Sequence, residues 1–199
     1  MAATPPLPPP VVRGRRDATE RILKAAATRL SLSGASALTL HEVAEEAGVS
    51  KALIHYHFQD KDTLLARLVE WMADGLVRRE RGALAASTPV GAIDDLWRWL
   101  EGELARGHAR ALVELAAWRG ARVRAAAGDA MRLRRAASAS SAERLYTLLA
   151  LRPRVPTVLV GDLLVTFVDG LAAAPEGEGK ADSRGAFDVL WLALLGLAE

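Results

Sequence analysis

The chain has 199 residues, 51% of them hydrophobic, with no cysteine and a formal net charge of +2. That length accommodates one small unit and one larger one, and the missing cysteine excludes disulfides, thiolate catalysis and sulfur-ligated zinc. Despite a sequence pI of about 9.3, a charge so near balance excludes binding nucleic acid by bulk charge, so any such contact must be local and specific.

Residues 1–12, MAATPPLPPPVV, hold five prolines in their first ten positions and no basic leader. This predicts a disordered tail rather than a helix or a signal peptide. Arg13-Gly14-Arg15-Arg16 follows as a basic arm suited to phosphate or minor-groove contact, so tail and arm together occupy 1–16. Asp17 with Glu20 makes a capping box for a first helix, and its apolar stripe of Ile22, Ala26 and Leu30 closes at Gly34.

Thr39 precedes the next apolar-periodic stretch and Glu42 stands three residues on, a second capping box. Val43, Ala44 and Ala47 share one face of that helix, and Gly48 falls where a left-handed terminal residue is needed. Val49 plugs the turn and Ser50 caps a further helix, whose inward face is Ile54 and Phe58. Two short helices joined at a glycine are a helix-turn-helix geometry. The outward set of Lys51, Ala52, His55 and Tyr56 suits major-groove contact, and Lys61 just beyond reaches phosphate.

From residue 61 a pattern of Leu64, Leu65, Leu68, Val69, Met72, Leu76 and Val77 predicts a connecting helix that ends at Arg78-Arg79-Glu80-Arg81-Gly82. Breaks at Pro89, Gly107, Gly128, Pro153, Pro156 and Pro175 through Ser183 divide the remainder into helices near 90–105, 108–126, 129–151, 156–173 and 184–198. No strand-like alternation occurs, so the expected class is all-α. PEGEGKADS reads as a flexible loop, and the final helix carries Phe187, Leu190, Trp191, Leu194 and Leu195, which require a partner surface. Trp97, Trp118, Met131, Tyr146 and Phe167 are candidates for a small-molecule pocket. Eight arginines in 106–135 against Glu114 and Asp129 form a solvated face or, less favoured, attract an anionic effector.

Thr39, Ala47-Gly48-Val49-Ser50, Tyr56-His57-Phe58 and Lys61 with Leu64 run without a gap. This string resembles the DNA-binding signature of the TetR family of bacterial transcriptional regulators. The resemblance covers the first 80 residues well and the remainder by length and helicity. It implies an N-terminal three-helix reading head at 17–60, a connecting helix at 61–82 and a helical ligand-binding and dimerisation domain at 83–199. Thr39, Ser50, His55, His57 and Lys61 are then expected on phosphates, with His41, Lys51, Ala52 and Tyr56 nearer the bases. His55 departs from the pattern, since the family often has a phosphate-contacting tyrosine there.

The resemblance further implies that the last two helices of each subunit pack against their copies. Gly161 and Gly170 would then permit close approach, with Leu164, Phe167, Phe187, Leu190, Trp191 and Leu194 at the interface. A dimer suits a palindromic operator, because one head spans half a site. The expected function is a homodimeric repressor released from its operator by a small molecule. The alternatives are a helical protein-interaction module without DNA binding, or a regulator that binds DNA independently of ligand.

No nucleophile elbow, phosphate loop or HExxH occurs, and His55 and His57 stand two apart on a helix, poor metal-ligand geometry. Neither catalysis nor a metal or cofactor is expected. No uncharged run reaches the roughly 18 residues that span a bilayer, so the expected location is cytoplasmic, with the nucleoid when on DNA.

Overall fold

The computed structural model describes residues 11–174 and 182–199, with side chains from Asp17 onward. These residues form nine helices and no strand: α1 (Val11–Ala37), α2 (Leu40–Ala47), α3 (Lys51–Phe58), α4 (Lys61–Ala85), α5 (Ala92–Arg106), α6 (His108–Ala116), α7 (Ala121–Leu148), α8 (Thr157–Ala173) and α9 (Ser183–Gly196). The chain divides after Leu64 into two compact units.

In the first unit the stripe of α1 is buried as its spacing demands, with Ile22, Ala26 and Leu30 inaccessible or nearly so. Val43 and Ala44 of α2 and Ile54 and Phe58 of α3 complete this core. Gly34 takes φ 75 and ψ 165, which kinks the end of α1 and lets the chain turn toward α2. The proline-rich tail, residues 1–10, lies outside the described residues, as do the side chains of the arginine arm. The backbone is helical from Val11, so Asp17 stands inside α1 rather than at its cap.

The second unit is built on α7 packed along α8, with α5, α6 and α9 around them. Its closest approach is at Gly161, where an added Cβ would come within 2.6 Å of the backbone nitrogen of Ala139 and 2.7 Å of the Arg135 carbonyl. Gly161 is therefore spent within this chain, against α7, while Gly170 faces open space. The expected break at Gly128 is absent: α7 runs through it, and the chain bends instead at Trp118-Arg119-Gly120. An isolated glycine weakens a helix by about 1 kcal/mol, which the long α7 absorbs.

Two ion pairs of this unit are buried. Arg79 grips the fully buried Glu103 through Nε at 2.5 Å and Nη2 at 2.8 Å, a two-pronged contact that compensates the desolvated charges. Arg134, 3% exposed, is paired with Asp169 in the same way. The Tyr146 hydroxyl donates to the Leu194 carbonyl at 3.1 Å. After α9 the chain returns to the α7–α8 connection, where Arg152 and Glu199 exchange backbone hydrogen bonds at 2.7 and 2.9 Å. The loop residues 175–181 lie outside the described residues; Asp182 caps α9 by accepting from the Gly185 N–H at 3.1 Å.

Candidate nucleic-acid interface

The capping box at the start of α2 is complete. The Glu42 N–H donates to Thr39 Oγ1 at 3.2 Å, and the Thr39 N–H and hydroxyl both donate to Glu42 Oε2, at 3.0 and 2.8 Å. Arg29 of α1 donates to the other carboxylate oxygen at 3.0 Å. These contacts, the Thr39 hydroxyl foremost and its backbone next, hold the Glu42 carboxyl below the usual glutamate range. One glutamate thus caps α2 and ties it to α1.

Gly48 ends α2 at φ 63 and ψ 41, with its N–H on the Ala44 and Glu45 carbonyls. The Val49 N–H follows onto the Ala44 carbonyl at 3.0 Å, so both orphan carbonyls of the last turn are satisfied. No atom lies within 4 Å of an added Cβ at Gly48, and the glycine is needed for its backbone angles alone. Ser50 then accepts from the Leu53 N–H at 3.2 Å and α3 begins.

Helix α3 buries Ile54 and Phe58 and half-buries Leu53, so its opposite side carries Lys51, Ala52, His55 and Tyr56 into solvent. Tyr56 is 64% exposed, a large ring that the head itself leaves uncovered. His55 Nδ1 is bonded to the Gln59 carbonyl at 3.0 Å. A carbonyl only accepts, so Nδ1 carries the proton, and Nε2 donates to a phosphate only when the ring is positively charged.

Gln59 closes α3 with φ 59 and ψ −59, and the Asp60 N–H reaches back to the Phe58 carbonyl at 2.6 Å. This is a γ-turn, a strained conformation for a residue with a side chain. Asp60 then accepts from the Thr63 N–H at 2.7 Å, starting α4.

Of the nine residues expected at DNA, Thr39, His41, Ser50, Lys51, Ala52, His55 and Tyr56 are exposed, and His57 and Lys61 are half-buried. His57 Nδ1 lies 3.3 Å from the Thr19 hydroxyl of α1. Lys61 Nζ donates to the Ser36 carbonyl at 3.2 Å, and burial pulls its pKa down against the opposing pull of Asp62 and Glu42. Both residues brace the head as well as flank it. His41, itself 68% exposed, sits 3.5 Å from Glu45 one turn on. Sequence reasoning missed Arg29 and Gln59, whose roles depend on a partner in α1 and on a turn without glycine.

Residues 22–68 match the model of the bacterial regulatory proteins of the tetR family. That segment is a TetR-family DNA-binding domain. No curated protein matches it. Among solved structures, a TetR transcription regulator from Haloarcula marismortui ATCC 43049 is 20% identical with a TM-score of 0.73, covering 92% of this chain and all of its own. A TetR-family regulator from Rhodococcus sp. is 21% identical with a TM-score of 0.68, covering 88% and 98%. SmeT, solved as a complex with triclosan, is 18% identical with a TM-score of 0.66, covering 89% and 91%. At these identities the likeness establishes a shared fold, and α1 to α3 are the TetR-family reading head.

In the second unit the five candidate pocket residues do not converge. Phe167 lines a cavity with Glu80, Trp99, Phe187 and Trp191; Met131 lines a separate one between α6, α7 and α8. Trp97 stacks on Phe187 at 5.3 Å under the Arg184 guanidinium, Tyr146 is core, and Trp118 falls at the bend before α7. The expected dimer residues also turn inward. Phe187, Trp191 and Leu194 are buried, Leu164, Phe167 and Leu190 half-buried, and all but Leu194 line the first cavity. The apolar residues that α8 and α9 do expose are Val158, Leu159, Leu163, Val189 and Leu192. The residues that the resemblance placed at a dimer interface thus lie toward the interior of their own chain.

Glu80 is the residue that sequence reading misplaced most. In Arg78-Arg79-Glu80-Arg81 it reads as part of a solvated helix end, yet α4 continues to Ala85 and Glu80 is 3% exposed. Burial pushes its carboxyl up, opposed by hydrogen bonds from Ser141 and Ser138 and by the charges of Arg134 and Arg81. The signal was present: Ala73, Leu76, Val77, Glu80 and Leu84 are one buried stripe at spacings of three and four.

Proposed function

We propose that this chain is a TetR-family regulator, a homodimeric repressor that binds a palindromic operator and is released by a small molecule. The observation that carries the reading is the solvent-facing side of α3. A helix of eight residues capped by Ser50 presents Lys51, Ala52, His55 and the 64% exposed Tyr56 together. Small Ala52 allows the backbone to approach base edges, Lys51 donates to them, and Tyr56 adds a ring and a hydroxyl one turn away. Ser50 and His55 serve the phosphates beside them, and the unpaired N–H groups at the starts of α2 and α3 favour the same anions.

Pairing falls to the exposed apolar residues of α8 and α9, Val158, Leu159, Leu163, Val189 and Leu192, which form a face that water penalises until it is covered. Two heads related by a two-fold axis read two half-sites. The ligand reading draws on SmeT, a structural relative solved with triclosan, and on the partly hollow interior of the second unit. A ligand that prefers one of two states of the dimer shifts the population away from the DNA-competent one.

Selection of bound sequences from random duplexes tests the reading directly. The wild type should enrich a palindrome and Lys51→Ala should lose it; a library that emerges without any enriched site would remove DNA reading from this chain. A His55→Ala variant should weaken binding to all sequences alike while the enriched site stays the same, as the loss of a phosphate contact does.

A further inference from the structure

The cavity under Glu80 holds three buried polar atoms without partners: Glu80 Oε2, Trp99 Nε1 and Trp191 Nε1. Buried polar groups are paired in the great majority of cases, because leaving one unmade costs on the order of 1–3 kcal/mol. Glu80, Trp99 and Trp191 line one space, where a single partner could serve all three. An acceptor with full or partial negative charge stands beside two N–H donors, and the rest of the wall is aromatic or aliphatic, including Phe167, Phe187 and Leu100.

The charge of the missing partner follows from its neighbours. Arg134 exerts the largest cationic effect on Glu80, yet it is committed to Asp169, 3.2 Å from its Nη1. Ser138 and Ser141 bring hydroxyls and no charge. An anion placed here would meet the carboxylate; a cation would meet it with aromatic faces on the other sides, the surroundings that stabilise ammonium groups. The indole N–H groups add a second requirement, an oxygen acceptor attached to the ligand's ring.

Size supplies the remaining constraint. The cavity is about 30 Å³, room for roughly two waters and too small for a ring. Trp99 lines this cavity and also an open groove of about 550 Å³ between α4 and α5, beside Gly82, Ala83 and Gly102, so admitting a ring requires its indole to turn toward the groove.

We propose that the Glu80 cavity is the effector site and takes a small aromatic amine bearing a ring oxygen, its ammonium on Glu80 and its ring between Trp191 and Phe167, with Trp99 as the door. The inference rests on the reading of the second unit as ligand-responsive, and names the ligand class. It makes Glu80 the specificity-determining residue and gives a role to a carboxylate buried where a leucine would pack.

Calorimetric titration of the full chain with three matched probes tests it: para-methoxyphenethylamine, para-methoxyphenethyl alcohol and para-methoxyphenylpropionate. The amine should bind at least about tenfold more tightly than the alcohol, as a charge-assisted contact requires, and the propionate should not bind. Glu80→Gln, which keeps the shape, should bring amine and alcohol together. Trp191→Phe, which keeps a ring and loses the N–H, should weaken both while the preference for the amine persists. The proposal is overturned if the amine does not bind at millimolar concentration, if the alcohol matches it, or if Glu80→Gln retains the preference. Operator release is measured separately. Amine binding without release would sink the regulatory reading and leave the site, whereas release by other compounds with no amine binding would do the reverse.

Discussion

In the reading head Gly48 is required for its backbone angles and nothing crowds its Cα, whereas in the second unit Gly161 lies within a helix and the backbone of α7 is pressed against it. The first glycine answers a demand set by its immediate neighbours, the end of α2 and the start of α3. The second answers a helix more than twenty residues upstream. The same contrast runs through both units. The head is secured by contacts close in sequence, such as Thr39 with Glu42 and Ser50 with Leu53, while the second unit relies on distant pairs such as Arg79 with Glu103, Arg134 with Asp169 and Tyr146 with Leu194.

Substitution at the two glycines should separate these demands. Gly161→Ala forces α7 and α8 apart or bends them, and should cost about 3 kcal/mol, the upper part of the overpacking range, read by urea denaturation. Gly170→Ala, on the same helix but facing open space, should instead stabilise by up to about 1 kcal/mol; equal losses at both positions would erase the steric account. Gly48→Ala should cost about 1–2 kcal/mol, the expense of a left-handed alanine, and Gly48→Asn distinctly less.

A smaller effect concerns charge. Glu80 has a raised pKa when folded, so the folded state holds its proton more tightly than the unfolded chain does. The native state therefore loses stability as pH rises from the ordinary glutamate range toward the raised value. Glu80→Gln should escape that loss: paired denaturation curves should coincide in acid and diverge in favour of the variant toward neutrality. Curves that stay parallel would mean that the buried carboxyl is not the titrating group.

The head was legible because each of its signals is read within four residues. A capping box, a serine cap, a terminal glycine and a buried pair one turn apart specify α2, the turn and α3 without reference to the rest of the molecule. Where the head departs from expectation the cause is a partner elsewhere, as with His57 against Thr19 and Lys61 against Ser36. Gln59 escaped notice for a different reason, since a γ-turn without glycine leaves no compositional mark. In the second unit helicity was plain and direction was not. An apolar stripe states that a face is covered, and does not state whether α7 or a second copy of the chain covers it; Phe187 and Trp191 went inward and Val189 and Leu192 outward. Gly128 and Gly120 look alike in the sequence, and only the second interrupts a helix.

Trp99 also gives the protein an optical readout of its own state. Trp99 lines both the small cavity and the open groove, and indole emission shifts to longer wavelength as water gains access to the ring. The difference spectrum between the wild type and Trp99→Phe isolates this one emitter from the other four tryptophans. The surroundings of this ring can then be followed in real time, without a label, at every concentration of ligand or operator.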